Sequence, residues 1–319
     1  MTDEMVLRGL NGRNPMAYFA ALGTLFAVAR MLPEASPRLH WLRRPIPRAV
    51  LTAHLPGGDL IEVLDADRAE WFNCVALRGP NEVPFEDVKL SAIEQRRYLL
   101  ACRDASDGGR SAGLASALVA EGSFAGKGDG KPTDLHFTAG QQRFLSIARV
   151  LQDQVTRDDL SEAVLGPWSY RKALPTFKWD VSDDRVYALS ASDPSKETKY
   201  TVPGADWLAL VGLSAYSAIR DGGRSRPPGS GGTWKYGRFR WGLWSEPLEA
   251  DAVRASVATG WDPDFVGRQG IGAFRVLEAR VRRSDQGGYG SFSPSSVIWE
   301  GAARSDEGPV PVETAWSQA

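Results

Sequence analysis

The sequence predicts an α+β fold of mixed helices and mainly antiparallel strands. Two observations carry this expectation. Segments of helical and of alternating periodicity are interspersed, without the regular strand–helix alternation of a parallel sheet. Pro- and Gly-rich breaks also recur at short intervals. The 319 residues suffice for one large domain, or two closely packed subdomains, with a sizeable core.

The strongest local signal opens the chain. Asn14 supplies a capping oxygen and Pro15 takes the first helical position, where its missing N–H costs nothing. Met16, Phe19, Gly23, Phe26 and Arg30 follow at helical spacing, so residues 15–32 read as a buried helix behind a polar turn. That turn carries Arg8, Asn11, Arg13 and Asn14 at the positive end of the helix dipole, where a phosphate or a partner carboxylate would sit well. Residues 39–43 and 48–55 read as short strands split by Pro45 and Pro47. Helices are expected over 58–72, 85–105, 111–120, 139–154, 159–165 and 205–219. Short strands are expected at 135–137 and, as a hairpin, at 177–180 and 185–192. Residues 221–233 (DGGRSRPPGSGGT) read as a stretch without regular structure, followed by strands at 234–244 and 271–283. A soft boundary at 122–133 separates an expected N-terminal α/β subdomain (1–121) from a C-terminal α+β subdomain (134–300), and residues 301–319 read as a flexible tail.

Bulk composition excludes several function classes. Hydrophobic residues at 43% and charged residues at 24% are ordinary globular values, which argues against global disorder. The formal net charge is −1, so any nucleic-acid surface must be local rather than global. The apolar run from Met16 to Leu32 is short and interrupted by Gly23, Thr24 and Arg30, which argues against a membrane span. Cys74 and Cys102 make neither a disulfide framework nor a metal spacing, and no signal peptide is visible; the expected compartment is the cytoplasm.

A search for catalytic chemistry finds no positive signal. His40, His54 and His136 are isolated from one another and from the cysteines, so no metal set is expected. The stretches Gly122–Lys127 and Gly126–Lys131 each fall one residue short of a P-loop, and neither lysine precedes Ser or Thr. No G-x-S-x-G elbow occurs. The acidic pairs Asp104/Asp107 and Asp183/Asp184 are explained by turns and helix ends more cheaply than by magnesium. Neither a catalytic residue nor a cofactor is expected.

Local charge is more informative. Residues 38–48 carry Arg38, Arg43, Arg44 and Arg48 with no acid. Residues 220–240 carry Arg220, Arg224, Arg226, Lys235, Arg238 and Arg240 against Asp221 alone. Residues 268–283 carry five arginines, Arg282 and Arg283 among them, against Glu278. Guanidinium forks suit phosphate oxygens, and Trp234, Tyr236, Phe239 and Trp241 interleave as stacking surfaces. Alternation places Arg238 and Arg240 on the face of Tyr236. The candidate nucleic-acid contacts are therefore Arg43, Arg44, Arg224, Arg226, Lys235, Arg238, Arg240, Arg282 and Arg283.

One set of motifs resembles a known family. Leu7-Arg-Gly-Leu10, Gly12, Asn14-Pro15 and Phe19-Ala-Ala-Leu-Gly23 resemble the N-terminal signature of CRISPR-associated proteins from type I-G (formerly I-U) loci. Met16 stands where leucine is common there, and Tyr18-Phe19 replaces a Phe-Leu pair; both keep the apolar face. Ala139–Phe144, Leu165–Tyr170, Trp179-Asp180, Arg185–Leu189, Asp193-Pro194 and Trp241–Trp244 are similar to the same group. The match is nearest to the family described as an extension of the CRISPR helicase-nuclease, with a shorter echo in the type I-G effector large subunit. The resemblance implies a component of a type I interference complex, with other effector subunits, the helicase-nuclease, guide RNA and target DNA as partners. The chain lacks helicase and nuclease motifs, so the implied role is binding and scaffolding. Two other readings stay open: an adaptor for the helicase-nuclease that touches no nucleic acid, and an enzyme with a dispersed acidic metal site.

Overall fold

The structure, a computed structural model, describes residues 3–55, 59–124, 128, 130–138, 142–183, 200–266, 270–283 and 289–301. The fold is α+β. Strand β1 (Asp3–Asn11) leads into α1 (Pro15–Met31), then β2 (Arg38–Trp41) and β3 (Arg48–Ala53). Helices α2 (Leu60–Glu70), α3 (Val75–Arg78), α4 (Ala92–Asp104), α5 (Arg110–Leu118), α6 (Phe144–Gln154), α7 (Arg157–Leu165) and α8 (Pro203–Leu213) follow. The C-terminal half holds β4 (Ile219–Asp221), β5 (Arg224–Arg226), β6 (Ser230–Gly232), β7 (Tyr236–Trp244), α9 (Ala250–Ala258), α10 (Pro263–Val266), β8 (Ala273–Arg283), β9 (Gly290–Phe292) and β10 (Ser296–Glu300). One sheet has the order β1-β3-β2; a second runs β10-β8-β7-β6 with β9 also on β8; β4 and β5 form a separate ribbon. The pairings between these strands are antiparallel.

Helix α1 organises both sheets. The Asn14 side chain accepts a hydrogen bond from the Met16 amide at 3.0 Å, as a capping residue should. Every residue from Pro15 to Val28 is buried, so the helix is enclosed on all sides. Its closest neighbour is α8. A Cβ on Gly23 would collide with the Leu208 carbonyl, and one on Gly212 with the Phe19 carbonyl. The two glycines let the backbones touch, which larger residues would prevent. Tyr18 stacks on Trp41 of β2 (5.7 Å between centroids) and meets Trp241 of β7 (6.2 Å), tying the sheets together. One buried cluster runs from Leu7 to Phe292, so the two expected subdomains share a core across 122–133.

Several expectations are corrected. Residues 7–11 are not part of a turn: they belong to β1, which pairs with β3, so Arg8 and Asn11 lie on a strand and only Arg13 and Asn14 on the turn. The helix expected from residue 85 begins at Ala92, because Ser91 and Glu94 close a capping box there. No strand forms at 135–137, where the His136 amide closes a turn on the Thr133 carbonyl. Nor is 177–180 a strand: Lys178 has φ +64°, outside extended backbone. Most decisively, 221–233 does hold regular structure, in β5 and β6. The partner strand at 185–192 and the tail beyond Gly301 lie outside the described residues. Among the described residues no helix is long and apolar enough to cross a membrane.

Candidate nucleic-acid interface

Strands β7 and β8 build a basic groove by alternation. Phe239 and Trp241 point inward, where Phe239 meets Phe19 (5.3 Å between centroids) and the Trp241 indole donates to the Gly12 carbonyl at 2.8 Å. This anchorage obliges Tyr236, Arg238 and Arg240 to face outward. In register, Tyr236 lies opposite Arg282, Arg238 opposite Arg280, and Arg240 opposite Glu278. The β6–β7 turn adds Lys235 at the rim. The resulting groove, about 560 Å³, is lined by Lys235, Arg238, Arg280, Arg282 and Arg283, with Glu278 as its only carboxylate among the described residues.

That carboxylate sits at one end. The Arg240 Nε lies 2.8 Å from a Glu278 oxygen, and the Arg238 Nε lies 3.8 Å from the same oxygen. The exposed Arg280 pairs with no carboxylate among the described residues. The Arg238 side chain crosses β6 at Gly231, where a Cβ would come within 2.7 Å of its Nε. Positive charge therefore gathers toward the β6–β7 turn, beside Trp234 and Tyr236. Tyr236 is 73% exposed, and Trp234 43%.

Arg283 forms the floor. Its guanidinium donates to the His136 carbonyl at 3.0 Å and the Asp134 carbonyl at 2.6 Å, and lies 3.6 Å from the Trp234 ring centroid. Burial pushes its pKa down to about 10, against the pull of Asp134, so it stays protonated at neutral pH. Below it, the buried His136 ring stacks on Phe144 and shares a 2.7 Å hydrogen bond with Asp87. Burial lowers the His136 pKa despite that carboxylate. Burial raises Asp87, but the His136 bond and charge and the nearby Lys89 outweigh it and hold the carboxyl below its usual range.

The structure gathers Lys235, Arg238, Arg282 and Arg283 in one groove, with Arg240 at its acidic end. The other expected contacts lie elsewhere. Arg224 grips the Asp134 carboxylate with two nitrogens, at 3.1 and 2.8 Å, and is only 16% exposed. Arg226 is held between Asp134 (3.6 Å) and Asp221 (2.6 Å). These two arginines fasten β5 to the 131–138 segment; a phosphate would have to displace a buried carboxylate to reach them. Arg43 donates to the Gly301 carbonyl at 2.6 Å, and the Arg44 carbonyl accepts from Arg275, so this pair sits at the far end of β8. Arg8, Asn11 and Asn14 line a separate pocket of about 310 Å³ with Arg48, Trp168 and Tyr170. Arg13 is exposed, and its carbonyl accepts from the Ser295 hydroxyl at 2.8 Å. The helix-end carboxylate is supplied by the chain itself: Asp180 accepts from the Asn14 side-chain Nδ2 (2.8 Å) and the Tyr170 hydroxyl (2.7 Å).

Of the two acidic pairs, Asp104/Asp107 is bound within its own segment. Asp104 pairs with Arg103, and Asp107 accepts from the Ser111 amide and hydroxyl; the Asp183/Asp184 pair falls outside the described side chains. Among the described residues no group of three His, Cys, Asp or Glu could hold a metal ion. Arg280, one of the five arginines of 268–283, and Tyr236, expected as a stacking surface, join the expected contacts in the groove. Their roles depend on the 238–280 and 236–282 register, which no local pattern encodes. Neither a scan against protein-family models nor a search of curated proteins finds a match to this chain.

Proposed function

We propose that the chain is a non-catalytic component of a type I CRISPR interference complex. It contacts guide RNA or target DNA through the β7–β8 groove and helps to recruit the helicase-nuclease in the cytoplasm. The carrying observation is the groove itself, lined by Lys235, Arg238, Arg280, Arg282 and Arg283 with Glu278 as the one carboxylate in its lining among the described residues. Such an array suits a phosphodiester backbone, which supplies closely spaced negative charge without sequence information. That is the contact asked of a subunit in a complex whose sequence readout belongs to base pairing. The ordered N-terminal motifs support the CRISPR assignment. The net charge of −1 leaves the rest of the surface for protein neighbours.

The test is fluorescence anisotropy of a labelled oligonucleotide with the full chain and a variant carrying Arg238→Glu, Arg280→Glu and Arg282→Glu. The wild type binds and the variant does not, while circular dichroism of the two is the same. Equal binding by both removes the groove from the account. A chain that binds no oligonucleotide yet co-purifies with the helicase-nuclease from nuclease-treated lysate is the adaptor instead.

A further inference from the structure

We infer that the groove takes an unpaired strand, and that Tyr236 is the platform on which one of its bases stacks. This rests on the polyanion reading above and adds the form of nucleic acid to it.

Tyr236 is 73% exposed, directly across the strand pair from Arg282, at the cation-rich end of the groove. A ring that open has little packing to do. Lys235 Nζ lies 5.8 Å from its centroid and Arg238 shares its face of β7. A strand whose phosphates follow Arg238, Arg280 and Arg282 therefore passes within reach of an accessible ring face. Trp234 is the weaker platform: it is 43% exposed, and the Arg283 guanidinium already lies 3.6 Å from its centroid. That contact ties the β6–β7 turn to the end of β8.

A duplex cannot use this ring. Its bases are stacked on one another, and its outer surface offers phosphates and groove edges rather than base faces. Only a single strand can present a base face to Tyr236, a contact that tolerates any sequence because every base has one. Phosphate-only binding would be served by the cations alone and would leave the exposed ring without a role.

The experiment compares four labelled probes with the full chain: a single-stranded DNA, the same strand annealed to its complement, a single-stranded RNA, and an abasic single strand that keeps the phosphates. The two intact single strands are expected to bind more tightly than the duplex and the abasic strand. The RNA and DNA arms show whether the strand is guide or displaced DNA. Tyr236→Ala should weaken the intact single strands by about five- to a hundred-fold and leave the duplex and abasic probes unchanged. Tyr236→Phe, which keeps the ring, should bind like the wild type. Equal affinity for all four probes, or an unaffected Tyr236→Ala, overturns the stacking platform while leaving a phosphate-binding groove intact. No binding to any probe overturns the polyanion reading as well.

Discussion

His136 lies 1% exposed beneath the groove, and burial lowers its pKa by disfavouring the charged ring. The groups around it are Asp87, which favours the proton, and Lys89 and Arg283, which oppose it. A folded-state pKa below the ordinary value of about 6.5 has a definite sign. The stability it contributes is fully present above that value. It is lost as pH falls toward the folded value, because the unfolded chain then takes up a proton that the folded one refuses. The half-buried His40, also lowered by burial, adds to the same trend. Thermal midpoints should therefore fall between about pH 8 and about pH 5.5. His136→Gln should flatten part of that slope and leave the share from His40. An unchanged slope in the variant would remove His136 as its source. Residue-scale features differ in how far the sequence shows them. The Asn14 cap was legible because its cue is local. Its second bond, to Asp180, joins residues 166 positions apart, and no pattern in either segment announces it.

At the scale of elements, the β7–β8 pair sets Arg238 opposite Arg280. Like charges directly opposed across strands are unfavourable by roughly 0.2–1 kcal/mol. Arg280→Gln should therefore stabilise the unliganded protein by a few tenths up to about 1 kcal/mol, read as a higher urea midpoint at constant slope. The same substitution should weaken oligonucleotide binding. Opposite signs in the two assays mark a position held for a ligand, whereas a lower urea midpoint would contradict that role. Helix α1 was legible from its cap, proline and apolar spacing, and α7 nearly to its bounds; the helix expected over 205–219 is α8, which ends at Leu213, and β4 begins at Ile219. The β5–β6 region was not, since its glycines, prolines and serines read as loop. Its order comes from outside the segment: Arg224 and Arg226 on Asp134, the Ser225 hydroxyl donating to the Lys131 carbonyl, and β6 pairing with β7. Arg224 and Arg226 are therefore internal fasteners, which charge density along the sequence does not distinguish from phosphate contacts.

Across the whole molecule, α1 is the part that makes the groove possible. It lies against α8 through Gly23 and Gly212, and its Tyr18 and Phe19 hold β2 and β7 from within. Because β7 is fixed on its inner side by Phe19 and the Gly12 carbonyl, its outer side presents cations on a rigid support. The α+β class was legible from interspersed periodicities. The shared core was not, because the α1–α8 contact joins residues far apart in sequence.

The central claim is that this outer face of β7 and β8 binds nucleic acid through its phosphates. The measurement that tests it most directly is the salt dependence of the dissociation constant for a single-stranded oligonucleotide. Each phosphate contact contributes about 0.7 to the slope of log affinity against log salt. The wild-type slope should be steep, and it should become shallower by roughly that amount in each of Arg238→Gln, Arg280→Gln and Arg282→Gln. A flat wild-type slope, or one that none of the three substitutions changes, would contradict the account.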